Sequence, residues 1–146
     1  MENREQNIRL SGSESYMPKN GLDAFRILSG SLFIYIVSEK NGSIGRRLLL
    51  CEMEEGRIIP TLAASEADTS YHFLFVAKEE AELLPMRGSV TSILKRNFAK
   101  RIGLSAYTEE GFEGSLVEFY KKEALKDDIY IRRGKKLDPD INIASY

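Results

Sequence analysis

The chain has 146 residues, 42% of them hydrophobic, which suits one domain with a real core and excludes global disorder. Its 21 basic and 22 acidic side chains leave a formal net charge of -1, so the overall basic excess of a dedicated nucleic-acid binder is absent. A single cysteine, Cys51, excludes an intrachain disulfide and a cysteine-built zinc site, and its use fits a reducing compartment.

Residues 1–23 are polar and rich in Asn, Ser and charge, and read as a flexible arm with one short strand at Asn7–Leu10. They contain no apolar core of a secretory signal, and the longest apolar run, Leu32–Val37, is too short to cross a bilayer. A soluble cytoplasmic chain is expected. From Ala24 the character changes. Ala24–Leu28 and Ser31–Ser38 are β-branched and aromatic, separated by a tight turn at Ser29-Gly30. Asn41-Gly42 is the strongest short hairpin signal, with Arg46–Met53 as the returning strand. Glu54-Glu55-Gly56 marks another turn, and Arg57-Ile58-Ile59 forms a short strand stopped by Pro60. Thr61–Ser70 has no clear period and reads as a loop or one helical turn. Tyr71–Ala77 and Glu80–Leu84 are strands again. So many short strands at close spacing predict a sandwich or barrel over residues 24–86.

The period then switches. Val90, Ile93, Leu94, Phe98 and Ile102 fall on one face of a helix that Gly103 ends. Lys95, Arg96, Lys100 and Arg101 fall largely on the other face, where a solvated helix side accounts for them better than docking to an acidic partner or to phosphates does. A second helix is expected from Ser115, where Ser115-Leu116-Val117-Glu118 has capping-box spacing, and the helical segment as a whole spans 87–133. Residues 134–146 read as a linker or tail.

Catalysis finds no candidate in the sequence. His72 is the only histidine, so a multi-histidine metal site cannot be built, and its place in a strand favours a structural role. A Cys51–His72 pair lacks an orienting third group, and the leucines before Cys51 suggest a packed thiol. The pairs Glu54-Glu55, Glu79-Glu80 and Glu109-Glu110 sit at turns, where solvated charge accounts for them. No phosphate loop, nucleophile elbow or zinc-protease motif is present.

Phe25-Arg26-Ile27-Leu28-Ser29-Gly30-Ser31-Leu32 resembles the strand–turn–strand of cyclic-nucleotide-binding domains. Glu54-Glu55-Gly56-Arg57-Ile58-Ile59 resembles the turn that opens their phosphate-binding cassette, and Tyr71–Leu84 the strands that close their roll. More narrowly, Asn41-Gly42-x-x-Gly45-Arg46-Arg47 and Glu55-Gly56-Arg57-Ile58-Ile59-Pro60 are similar to the amino-terminal region of the ATP-binding/permease proteins that export nitrile-hydratase-leader-type (NHLM/NHLP) bacteriocins. The resemblance covers roughly residues 24–130. It implies a mainly β fold with C-terminal helices, a double-stranded β-helix (jelly roll or β-roll) of the cyclic-nucleotide-binding type. It further implies that the chain belongs to a peptide-export ABC transporter, tethered to the inner face of the membrane through parts beyond Tyr146.

The departures from that family concern its ligand. A working cassette uses Phe-Gly-Glu at the start of a short helix and an Arg before the next strand, so that backbone N–H groups and a guanidinium hold the phosphate while the Glu takes the ribose. Here those positions read Ile58-Ile59-Pro60 or Ile59-Pro60-Thr61, and Thr61–Val76 contains no Arg or Lys. The degenerate cassette thus comprises Gly56, Arg57, Ile58, Ile59, Pro60, Thr61, Tyr71 and His72. A buried phosphate there would lack its countercharge, so cyclic-nucleotide binding is not expected. Nor is any cofactor or metal. The expected function is that of a non-catalytic regulatory or interaction domain whose partners are protein or peptide: other transporter domains or a cargo leader. The rival expectation is the small-molecule sensor domain of a transcription regulator.

Overall fold

Alternation of half-buried and buried residues from Ser31 to Ile36, in the strand Ser31–Lys40 (β4), sets the architecture. Leu32, Ile34 and Ile36 are fully buried, while Phe33 and Tyr35 between them stay partly exposed. A strand with that pattern lies in a sheet with one face on a core. The computed structural model describes residues 6–104 and 111–137, with side chains through residue 124; of the expected tail, 138–146 lie outside the described residues.

Two antiparallel sheets form the body. One has the order β1 (Ile8–Leu10), β9 (Ala81–Met86), β3 (Ala24–Ser29), β6 (Ile58–Pro60). The other runs β2 (Ser15–Tyr16), β8 (Thr69–Ala77), β4, β5 (Ser43–Glu54), with β7 (Ala63–Glu66) also paired to β8. Apart from the β4–β5 and β7–β8 pairs, successive strands pass from one sheet to the other, which rolls the chain up. The architecture is the expected one: mainly β, a β-roll, with helices at its C-terminal end. Phe25 of the first sheet meets Phe75 of the second edge-on, ring centroids 5.6 Å apart, in a core that also holds Ile27, Ile59, Leu62, Phe73 and Leu83.

The Asn41-Gly42 hairpin forms as read. Asn41 and Gly42 take φ of 53° and 81°, the mirror-image turn that matches strand twist, and Lys40 faces Ser43. The turn at Ser29-Gly30 is a different object. β3 and β4 do not pair; Gly30, at φ 80°, is the corner at which the chain leaves one sheet for the other. A Cβ there would collide with the Glu80 carbonyl and lie 2.9 Å from the Ala81 Cα. The sequence reads there as a tight turn, and a corner between sheets uses the same residues as a turn within one.

Other elements differ from the sequence reading. The segment 61–70 is neither simple loop nor helical turn: it contains β7, whose Ala63 and Ala64 face His72 and Tyr71 of β8. Its small polar residues carry no period because only one of the four is even half-buried. The residues read as an arm supply β1 and β2, one strand to each sheet. The first helix, α1 (Ser92–Arg101), begins at the cap Thr91, whose hydroxyl accepts from the Leu94 N–H, and ends at Ile102-Gly103. The second, α2 (Gly111–Leu137), starts one turn before Ser115 and runs past residue 134. The extra turn buries Phe112 against Phe98 at 6.3 Å. Phe98 in turn packs on Phe73 at 5.2 Å, and Tyr120 of α2 on Tyr71 at 5.6 Å, so the helices are part of the core.

Candidate functional site

The degenerate cassette begins at Gly56, whose N–H donates to the Ile27 carbonyl at 2.8 Å while the Ile27 N–H donates back to Arg57 at 2.9 Å. These bonds pin the turn to β3. Arg57, the one cation of the segment, is exposed and pairs with Glu54 at 3.4 Å across the turn, directed away from the roll's interior. With Arg57 first among the causes and Arg101 assisting, the Glu54 carboxyl is held below its usual range. It is a surface ion pair of small energetic weight.

Past the turn the segment closes on the core. Ile58 pairs with Arg26, Ile59 with Phe25 and Pro60 with Ala24. Ile59 and Leu62 are fully buried. Thr61, 1% exposed, donates its hydroxyl to the main-chain carbonyls of Asn20 at 2.8 Å and Asp23 at 2.7 Å. Its side chain is thereby committed to the protein's own backbone. Tyr71 is buried against Tyr120, and burial, with Glu66 adding, pushes its phenol up. Residues 58–62 thus form a packed segment of wall, while Tyr71 lies on β8 opposite Ala64.

His72 stands apart from them. It alternates to the outer side of β8, where Nε2 lies 3.2 Å from Glu39 and 3.2 Å from the Ser70 hydroxyl, and Glu39 also holds Lys19 at 3.4 Å. Nδ1 is buried with no hydrogen-bond partner among the described residues. Burial dominates and lowers the His72 pKa, Lys19 adding to it and Glu39 opposing. The imidazole is therefore neutral at neutral pH, with its proton on Nε2, donating toward the carboxylate. Cys51 lies on β5 opposite Ile34, whereas His72 lies opposite Val37, and the structure does not bring the two together. Burial pushes the Cys51 thiol up to about 11, so it stays protonated and unreactive.

Beside the cassette, between β7 and α2, is a depression of about 340 Å³ whose charged lining residues are Glu66, Glu113 and Glu118. Glu66 is bridged by Lys121 at 2.9 Å and Glu113 by Lys95 at 2.8 Å. A wall of carboxylates is the wrong field for a phosphate. Among the described residues no group of three or more His, Cys, Asp or Glu could hold a metal ion, and no helix is long and apolar enough to cross a membrane.

No protein-family model and no curated protein matches this sequence. Solved structures do. Oxidised, unbound CprK matches with a TM-score of 0.41 at 13% identity, covering 88% of this chain and 54% of that one. The regulatory subunit of a cAMP-independent protein kinase A from Trypanosoma cruzi, bound to guanosine, matches with a TM-score of 0.42 at 12% identity, covering 82% and 40%. The catabolite activator protein of Thermus thermophilus matches at 0.36 and 14%, covering 87% and 53%. The chain spans about half or less of each of these. At such scores the comparison says nothing about ligand, and the strand order above carries the fold.

The sequence reading missed one surface feature, the outer face of the second sheet. Met17, Tyr35, Val37, Ile44 and Leu74 come from three strands and the connection after β2, so only their register gathers them. The alternation of apolar residues on both faces of β4 was the available signal.

Proposed function

We propose that this chain is a non-catalytic regulatory or interaction domain of a peptide-export ABC transporter, a β-roll whose nucleotide cassette has become structural. The observation that carries the reading is Thr61. Where a ligand-binding cassette offers polar groups to a phosphate, this one turns the buried Thr61 hydroxyl onto two backbone carbonyls. It brings no guanidinium inward, since Arg57 pairs outward with Glu54. Burying a phosphate without a countercharge costs several kcal/mol, about the whole binding energy such a site would supply. The transporter context rests on the hairpin and turn motifs around Gly45 and Gly56. Gly45 backs onto Ser38, and a Cβ there would lie 3.3 Å from the Tyr120 hydroxyl, which donates to the Arg46 carbonyl at 2.6 Å. That glycine lets α2 dock on the hairpin.

One observation speaks for a second reading, the sensor domain of a transcription regulator: α2 continues for 27 residues, about 40 Å, after the roll. Such a helix suits dimerisation ahead of a DNA-binding unit. Sequence after Tyr146 separates the two, because spans of ~20 apolar residues mean transporter and a helix-turn-helix means regulator.

The test of the central claim is calorimetric titration of the chain with cyclic AMP and cyclic GMP, alongside thermal melting with each. No heat and no shift in Tm are expected. Micromolar binding of either nucleotide sinks the reading and makes the domain a nucleotide sensor.

A further inference from the structure

An antiparallel sheet with one face on the core ordinarily turns polar side chains to water on the other. The second sheet does so only in part, with Arg47, Glu52 and His72 set among apolar neighbours. Along its outer side Phe33, Tyr35 and Val37 of β4 stand beside Leu74 and Val76 of β8, with Leu49 and Ile44 of β5 at the margin. Leu49 and Ile44 are about half exposed, at 54% and 49%. An apolar surface of this kind marks contact with something else.

The face has relief. A trough of about 380 Å³ runs across it, from Ser15 and Met17 at one end, over Leu74 and Val37 on its floor, to Ile44 and Arg47 at the other. It crosses the strands β2, β8, β4 and β5 in their order in the sheet. Three strand spacings make it about 14 Å long. Arg47 is the one charged group lining it. The guanidinium lies over the Tyr35 ring, 5.2 Å from its centroid, and has no carboxylate partner among the described residues. By contrast the other cations around this face are paired, Lys19 with Glu39 and Lys78 with Glu52.

We propose that this trough is the docking groove for a short segment of a protein partner, one that presents aliphatic or aromatic side chains next to a carboxylate. The apolar side chains lie on Val37 and Leu74, and the carboxylate meets Arg47, which Tyr35 holds in place from beneath. Charge complementarity commits the occupant. An unpaired guanidinium at the end of an apolar trough is matched by an acid, and its planar fork favours a carboxylate geometrically. The trough is long and shallow, open on one side, which suits a chain segment better than a small molecule that must bury most of its surface. A second copy of this chain is disfavoured, since a two-fold axis through the trough would bring two Arg47 guanidinium groups toward each other. The inference rests on the reading of the chain as an interaction domain and names the surface and the kind of partner.

The experiment selects random peptides displayed on phage against the protein, then titrates the enriched peptide by fluorescence anisotropy. Titrations use the wild type, Arg47→Glu and Ile44→Lys in the groove, and Arg57→Glu outside it. All three positions are exposed, so unchanged thermal melting verifies that each variant is folded. Enriched peptides are expected to carry apolar residues beside Asp or Glu. Their dissociation constant is expected to rise about tenfold in each groove variant and to stay unchanged in Arg57→Glu. Enrichment of no peptide, peptides without an acid, or equal affinity in Arg47→Glu overturns the proposal. So does light scattering that shows a dimer which Ile44→Lys dissociates, because the groove then takes a second copy. A peptide that binds but ignores both groove variants removes the groove and leaves the interaction reading intact, whereas binding of cyclic AMP or GMP removes that reading.

Discussion

Replacing Thr61 with Val asks directly whether the cassette is a wall or a site. The two side chains have nearly the same shape, so the change removes one hydroxyl and little else. In the folded chain that hydroxyl is 1% exposed and shared between the Asn20 and Asp23 carbonyls, which it ties to the start of β3. One intramolecular hydrogen bond contributes about 1 kcal/mol net, and two buried acceptors sharing one proton lose more than one bond and less than two. The expected cost is therefore about 1–2 kcal/mol, which for a domain of this size lowers Tm by roughly 3–8 °C. Urea unfolding followed by circular dichroism reads the same quantity as a lower midpoint at constant slope. Thr61→Ser keeps the hydroxyl and is expected to lose less than about 1 kcal/mol, the value of a methyl group. If Thr61→Val is as stable as the wild type or more so, the hydroxyl is not spent on the backbone. The same result would mean that the polar group faces a ligand space and that the cassette is open.

Two further outcomes follow from the packing and from the titratable groups. Phe98→Ala removes the ring that joins α1 to Phe73 of the roll and to Phe112 of α2, and should cost about 3–5 kcal/mol in chemical denaturation; a loss under about 1 kcal/mol would show that the helices are not docked. His72 has its pKa lowered by burial, so the unfolded chain takes up a proton at higher pH than the folded one. Stability is therefore full above the unfolded value of about 6.5 and declines as pH falls below it, toward the lower folded value. In His72→Gln that part of the decline should vanish, and an unchanged slope in unfolding measured across this range would show that His72 is not held neutral.

The local chemistry of the chain was legible where a residue's own covalent properties decide its conformation. Asn41-Gly42 turns because both residues tolerate positive φ, Gly103 ends α1 through its backbone freedom, and the missing Arg and Lys of Thr61–Val76 are visible without any structure. The alternating and helical periods likewise marked most of the strands and both helices, because burial on one face imposes the period on the sequence. Pairing was not legible. Ser29-Gly30 reads the same whether it reverses a hairpin or carries the chain between sheets, and only the contacts of Gly30 with Glu80 and Ala81 distinguish them. β1, β2 and β7 escaped the sequence reading or were only partly anticipated, since short edge strands gain their order from backbone bonds to β8 and β9 and need few apolar side chains. The sequence alone thus determined that Thr61–Val76 offers a phosphate no Arg or Lys. Only the tertiary structure decided that Thr61 closes that segment and that Met17, Val37, Ile44, Arg47 and Leu74 share one trough, because register between strands distant in sequence is a property of the whole packed core.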